Sequence, residues 1–69
     1  MPNLRFPIHG YPGIAWTLIM DSADGWLVEE VRTDPVSRQR RPLDEFKQSD
    51  TGAKLAYWLG MAMTKARAD

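Results

Sequence analysis

Arg38, Arg40 and Arg41, with Arg32 shortly before them, make the dense basic cluster of this sequence. Guanidinium groups at that spacing could clamp phosphates or an acidic protein surface, because each presents a planar fork of donors that fits an oxyanion bidentately. The competing reading is a solvated turn in which the same arginines pair with Asp44, Glu45 and the Glu29-Glu30 step. Charge balance favours the turn: Lys+Arg and Asp+Glu number nine each, whereas nucleic-acid-binding domains are usually basic overall. Aromatic residues do not interleave with the arginines, which lowers the case for a base-stacking platform.

The carboxylates offer less. Glu29, Glu30, Asp44 and Glu45 occur as adjacent pairs, and adjacent residues on a strand point to opposite faces, a poor arrangement for an acid/base couple. A surface role is the expectation for all four, since a perturbed pKa needs a pocket that a short chain can hardly build. His9 is the sole histidine and there is no cysteine, so no ligand set with metal spacing forms around it. The run His9-Gly10-Tyr11-Pro12-Gly13 lacks both the phosphate-loop lysine and the dinucleotide fingerprint and reads as a turn. No enzyme activity, cofactor or metal is expected.

The elements that must position these groups fit one domain, residues 1–69. A chain of this length buries roughly 60% of the surface it exposes when unfolded, so its core is small. Residues 1–13 carry Pro2, Pro7 and Pro12 with alternating Leu4, Phe6 and Ile8, which predicts an extended arm or edge strand with those three side chains turned inward. Residues 14–20 and 26–32 are rich in β-branched and aromatic types and flank a turn ending in Asp24-Gly25, the signature of an antiparallel hairpin. Trp16, Leu18 and Met20 make the bulkier face of its first strand and its expected core side; Trp26 and Trp58 are expected in the core as well. After Asp34-Pro35, residues 36–43 read as a short third strand, and residues 43–47 as one irregular helical turn anchored by Leu43 and Phe46.

A helix over 51–66, capped by Ser49 or Asp50, follows from the apolar spacing. Leu55, Leu59, Ala62 and Ala66 share its core stripe, with Trp58 and Met63 on the shoulders. Tyr57 and Met61 fall on the opposite side, bordered by Lys54, Thr64 and Lys65, and a line of small residues, Ala53, Ala56, Gly60 and Thr64, runs between the two faces. Isolated exposed apolar residues need no explanation. Tyrosine is nevertheless enriched at interface centres and methionine adapts to varied partners, so Tyr57 and Met61 are the expected hot spot. Lys54 and Lys65 would supply orientation and association rate, and Gly60 a place for close backbone approach.

The expected fold class is therefore α+β: a two- or three-stranded antiparallel sheet, one long C-terminal helix and an extended proline-rich N-terminal arm. In size and simplicity of build, the chain is similar to small phage-encoded inhibitors such as anti-CRISPR proteins, a resemblance of build that implies an antagonist covering a surface of a larger protein complex. The alternatives are a nucleic-acid-binding regulator using Arg32, Arg38, Arg40 and Arg41, and a homodimeric structural subunit that pairs through the hairpin edge or the small-residue line. Without a signal-peptide pattern or a long apolar segment, a cytoplasmic protein with no membrane partner is expected.

Overall fold

The computed structural model describes residues 4–68, so the part of the expected arm formed by Met1, Pro2 and Asn3 lies outside the described residues. Four strands follow one another as an antiparallel meander: β1 (Leu4–Tyr11), β2 (Ile14–Asp21), β3 (Gly25–Thr33) and β4 (Val36–Pro42), in the spatial order β1-β2-β3-β4. Among the described residues three helices follow: α1 (Leu43–Gln48), α2 (Asp50–Lys54) and α3 (Ala56–Ala68). The fold class is α+β as expected, but its sheet has four strands and its helical region is not one helix.

Tight turns set the meander. Pro12-Gly13 joins β1 to β2, with Gly13 at φ 91, the positive value that a proline-glycine turn of type II demands. At the β2–β3 turn Gly25 takes φ 77, while Asp21 Oδ1 accepts from the N–H groups of Ala23 and Asp24. The Asp24-Gly25 signal for a hairpin is thus correct. Asp34-Pro35, whose peptide bond is cis, joins β3 to β4.

The expected proline-rich arm is instead a full strand paired with β2 from Leu4↔Met20 to Tyr11↔Ile14. Pro7 is tolerated because β1 lies at the sheet's edge, where one N–H can be missing from the ladder. A bulge between Pro7 and His9 then sets two residues of β1 against Trp16. Phe6 and Ile8 are buried as expected; Leu4, expected inside, is exposed near the sheet's corner.

All helices lie on one face of the sheet. There Phe6, Ile8, Trp16, Leu18 and Val28 meet Phe46, Leu55, Leu59 and Ala62, with Trp26, Trp58, Met63 and Ala66 half-buried at the margin. Within the described residues, α1 packs against β3 and β4 while α3 crosses β1 and touches β2. The stripe assigned to the helix core is therefore correct. Met20 is the exception on β2, exposed although it shares the inward side.

The single helix expected over 51–66 breaks at Leu55, whose φ of −98 and ψ of 12 leave helical geometry. Hydrogen bonds from Leu55 N to Thr51 O and from Leu59 N to Leu55 O carry the chain across the break. α2 begins where Ser49 Oγ accepts from Gly52 N at 3.0 Å, so of the two N-cap candidates Ser49 and Asp50 the cap is Ser49. Ser49 also closes α1, its N–H and its hydroxyl both donating to Phe46 O. This close stacking of α2 on the end of α1 requires glycine at 52, because a Cβ there would sit 1.8 Å from Phe46 O.

Candidate functional site

The outer face of α3 presents Tyr57, 70% exposed, and Met61, 57% exposed, one turn apart. The Tyr57 and Trp58 rings meet in a T-shaped contact, with a centroid distance of 5.7 Å and 87° between planes. Beside the pair runs an open groove between α3 and β1, floored by Pro7, Ile8 and Trp58 and continued by Gly60, Met61 and Thr64, with Lys65 at its border. Thr64, which also lines the groove, donates its hydroxyl back to Gly60 O at 2.9 Å. Lys54 belongs to α2 and is not part of the lining. The grouping of Tyr57, Met61, Gly60 and Lys65 is thus brought together; Lys54 is left aside.

Open space surrounds the position a Cβ would take at Gly60. Ala53, Ala56 and Thr64, the rest of the small-residue line, are exposed as well. A second shallow groove on the other side of Gly60 runs past Ala53, Ala56 and Met63 towards Lys47. The glycine is therefore a saddle between two depressions.

His9 carries a feature that spacing did not reveal. The bulge turns it towards α3, where its ring stacks on Trp58 at 4.1 Å with 28° between planes, and Tyr11 abuts it edge-on at 4.7 Å. Tyr11 in turn meets Trp16 at 6.0 Å and 90°. This chain of rings fixes the inner wall of the groove, because Trp58 is held from the sheet side by His9 and on the helix by Tyr57. Among the described residues no cluster of three or more His, Asp or Glu could hold a metal ion.

The basic cluster divides. β-strand alternation sends Arg38 and Arg40 to the sheet face without helices, while Arg41, opposite Val28, lies on the helix side. Arg40 Nε donates to Glu29 Oε2 at 3.0 Å, Arg38 Nε lies 3.8 Å from the same oxygen, and Arg5 Nη2 donates to Oε1. Glu29, expected at the surface, is only 1% exposed. The arginines that meet it, Arg5, Arg38 and Arg40, remain substantially exposed. Burial pushes the Glu29 carboxyl up, but hydrogen bonds from Arg5 and Arg40 and the charges of Arg5 and Arg38 outweigh it and leave the group below its ordinary pKa.

Glu30 points to the other face, accepting from Trp16 Nε1 at 3.0 Å and from Arg32 Nε at 3.1 Å. The expected pairing of arginines with the Glu29-Glu30 step is correct, but Arg38, Arg40 and Arg41 sit on the strand β4 and not in the expected solvated turn. Asp44 and Glu45, expected as further partners, instead occupy the first turn of α1, where a negative charge suits the positive end of the helix dipole. Arg5 was missed because nothing local links it to a residue 24 positions away. No family model, curated protein or solved structure matches this chain.

Proposed function

We propose that this chain is a small non-enzymatic protein-binding module that acts by occupying a surface of a larger protein, as an inhibitor or antagonist does. The observation carrying this reading is the pairing of two large, exposed apolar side chains, Tyr57 and Met61, with an adjoining groove whose floor is Pro7, Ile8 and Trp58. Contiguity distinguishes such a patch from scattered apolar exposure. The aromatic chain from Tyr57 through Trp58 to His9 supports it further, since side chains already held in place lose little entropy on binding. Lys65 at the groove border favours a partner whose apolar knob is flanked by acidic residues. The nucleic-acid alternative draws less support, because the cluster is split: Arg38 and Arg40 lie on one face of the sheet, Arg41 and Arg32 on the other.

The test is a tagged chain used to recover a stoichiometric protein partner from its native host. Tyr57→Ala combined with Met61→Ala should abolish recovery while the variant stays folded. Recovery that survives the double change would place binding elsewhere.

A further inference from the structure

The two edges of the sheet, β1 and β4, are built in opposite ways. β1 includes Pro7, which has no N–H to offer, and a bulge between Pro7 and His9, two devices that stop a foreign strand from pairing. β4 has neither: it keeps unbroken register with β3 from Val36 to Pro42, and its one proline is its last residue.

What β4 carries is charge. Arg38, Arg40 and Arg41 lie on it without a single carboxylate. Two copies of β4 laid antiparallel would set arginines close to one another, and like charges across a strand pair are destabilising, so this edge is guarded against its own kind. The sheet's interior shows the complement it accepts. Glu29 stands opposite Arg40 in the β3–β4 register and takes its Nε–H. Arg38 is 67% exposed, and among the described residues it makes no hydrogen bond, only the 3.8 Å approach to Glu29. Its donors remain available for a second carboxylate arriving from the outside.

We propose that β4 is a strand-addition site for an extended acidic segment of a partner protein. The segment's backbone pairs with the outer edge of β4, and its alternate carboxylates meet Arg38 and Arg40 on the helix-free face, repeating outside the contact that Glu29 makes inside. This surface is separate from the Tyr57-Met61 face and does not depend on it.

The probe is a short synthetic peptide alternating glutamate and threonine, titrated into the intact chain while backbone amide NMR shifts are followed. Shifts should concentrate on Val36–Pro42. Placing N-methyl groups on every second amide of the peptide should abolish binding in one register and spare it in the other, because only one edge of an added strand bonds to β4. Replacing glutamate with lysine in the peptide should remove binding, and Arg38→Glu should weaken it about tenfold or more; Arg38→Gln, which adds no negative charge beside Glu29, should weaken it to a smaller degree. Equal binding by both methylated peptides, no binding by the acidic peptide, or tighter binding of a single-stranded oligonucleotide at the same arginines would each overturn the proposal, the last in favour of phosphate recognition.

Discussion

Glu29 and Arg40 face each other across the β3–β4 register, with Arg40 Nε donating to Glu29 Oε2 at 3.0 Å. Arg5 reaches the other carboxylate oxygen from β1, so one acid on an inner strand ties both edge strands to the middle of the sheet. This is tertiary structure made on the face that no helix covers.

Removing that acid should cost stability. Breaking a fully buried ion pair costs about 3–5 kcal/mol, but here the arginines can turn to water, so Glu29→Ala is expected to cost roughly 1–3 kcal/mol. Urea unfolding measures it. A change under about 0.5 kcal/mol, the range of an ordinary surface substitution, would show that the carboxylate does not join the edges energetically.

Acid should erode the same contribution. The unfolded carboxyl titrates near 4.5 and the folded one lower, so the unfolded state takes up the proton first as pH falls. Stability from Glu29 is fully present above the unfolded value and is lost as pH drops through the folded one. The stability gap between the wild-type chain and Glu29→Gln should therefore be widest near neutrality and close in strong acid. A gap that is constant with pH would sink the assignment.

Gly52 and Gly60 should respond oppositely to alanine. At 52 the new Cβ would collide with the Phe46 carbonyl, so Gly52→Ala is expected to lose about 2 kcal/mol or more. At 60 it would enter open space in a helix interior, so Gly60→Ala should gain about 0.5–1 kcal/mol. Thermal melts of the two variants separate these outcomes. A gain at 60 joined to lost partner affinity would place the partner's backbone against that glycine.

The two faces of α3 should separate in the same manner. Leu59 is 4% exposed within the core, and Leu59→Ala is expected to cost roughly 2–5 kcal/mol. Tyr57→Ala with Met61→Ala should leave folding within about 1 kcal/mol of the wild type while lowering partner affinity by about 2 kcal/mol or more. An unfolded double variant would mean that the Tyr57-Trp58 contact holds the helix in place.

Local signals in the sequence were legible where local physics decides them. Ser49 as a cap, Asp24-Gly25 as a turn and the Leu55-Leu59-Ala62 stripe all depend on a few neighbouring residues, and all three hold. β1 was obscured by Pro7, whose meaning changes with its place in the sheet: disruptive in a central strand, harmless at an edge. The bulge that gives His9 its place on Trp58 has no signature in the run Phe6-Pro7-Ile8-His9, because it is a property of pairing with β2. The division of Arg38 and Arg40 from Arg41 could have been read from alternation alone. The burial of Glu29 could not, since it requires Arg5 from across the sheet. Likewise the Tyr57-Met61 side of the candidate site was visible in helix spacing, whereas its Pro7-Ile8 floor comes from β1.

The docking of α3 across β1 has a consequence for biosynthesis. Short turns let the four strands assemble in order as the chain emerges, each meeting the one before it. The β1 side of that nascent sheet, with Phe6 and Ile8, gains its helical cover only once α3 has been made, which joins the first described strand to the last described helix. A stalled or truncated chain ending before Ala56 would leave that apolar side open to water, and would be drawn into aggregation or chaperone capture before the core could form.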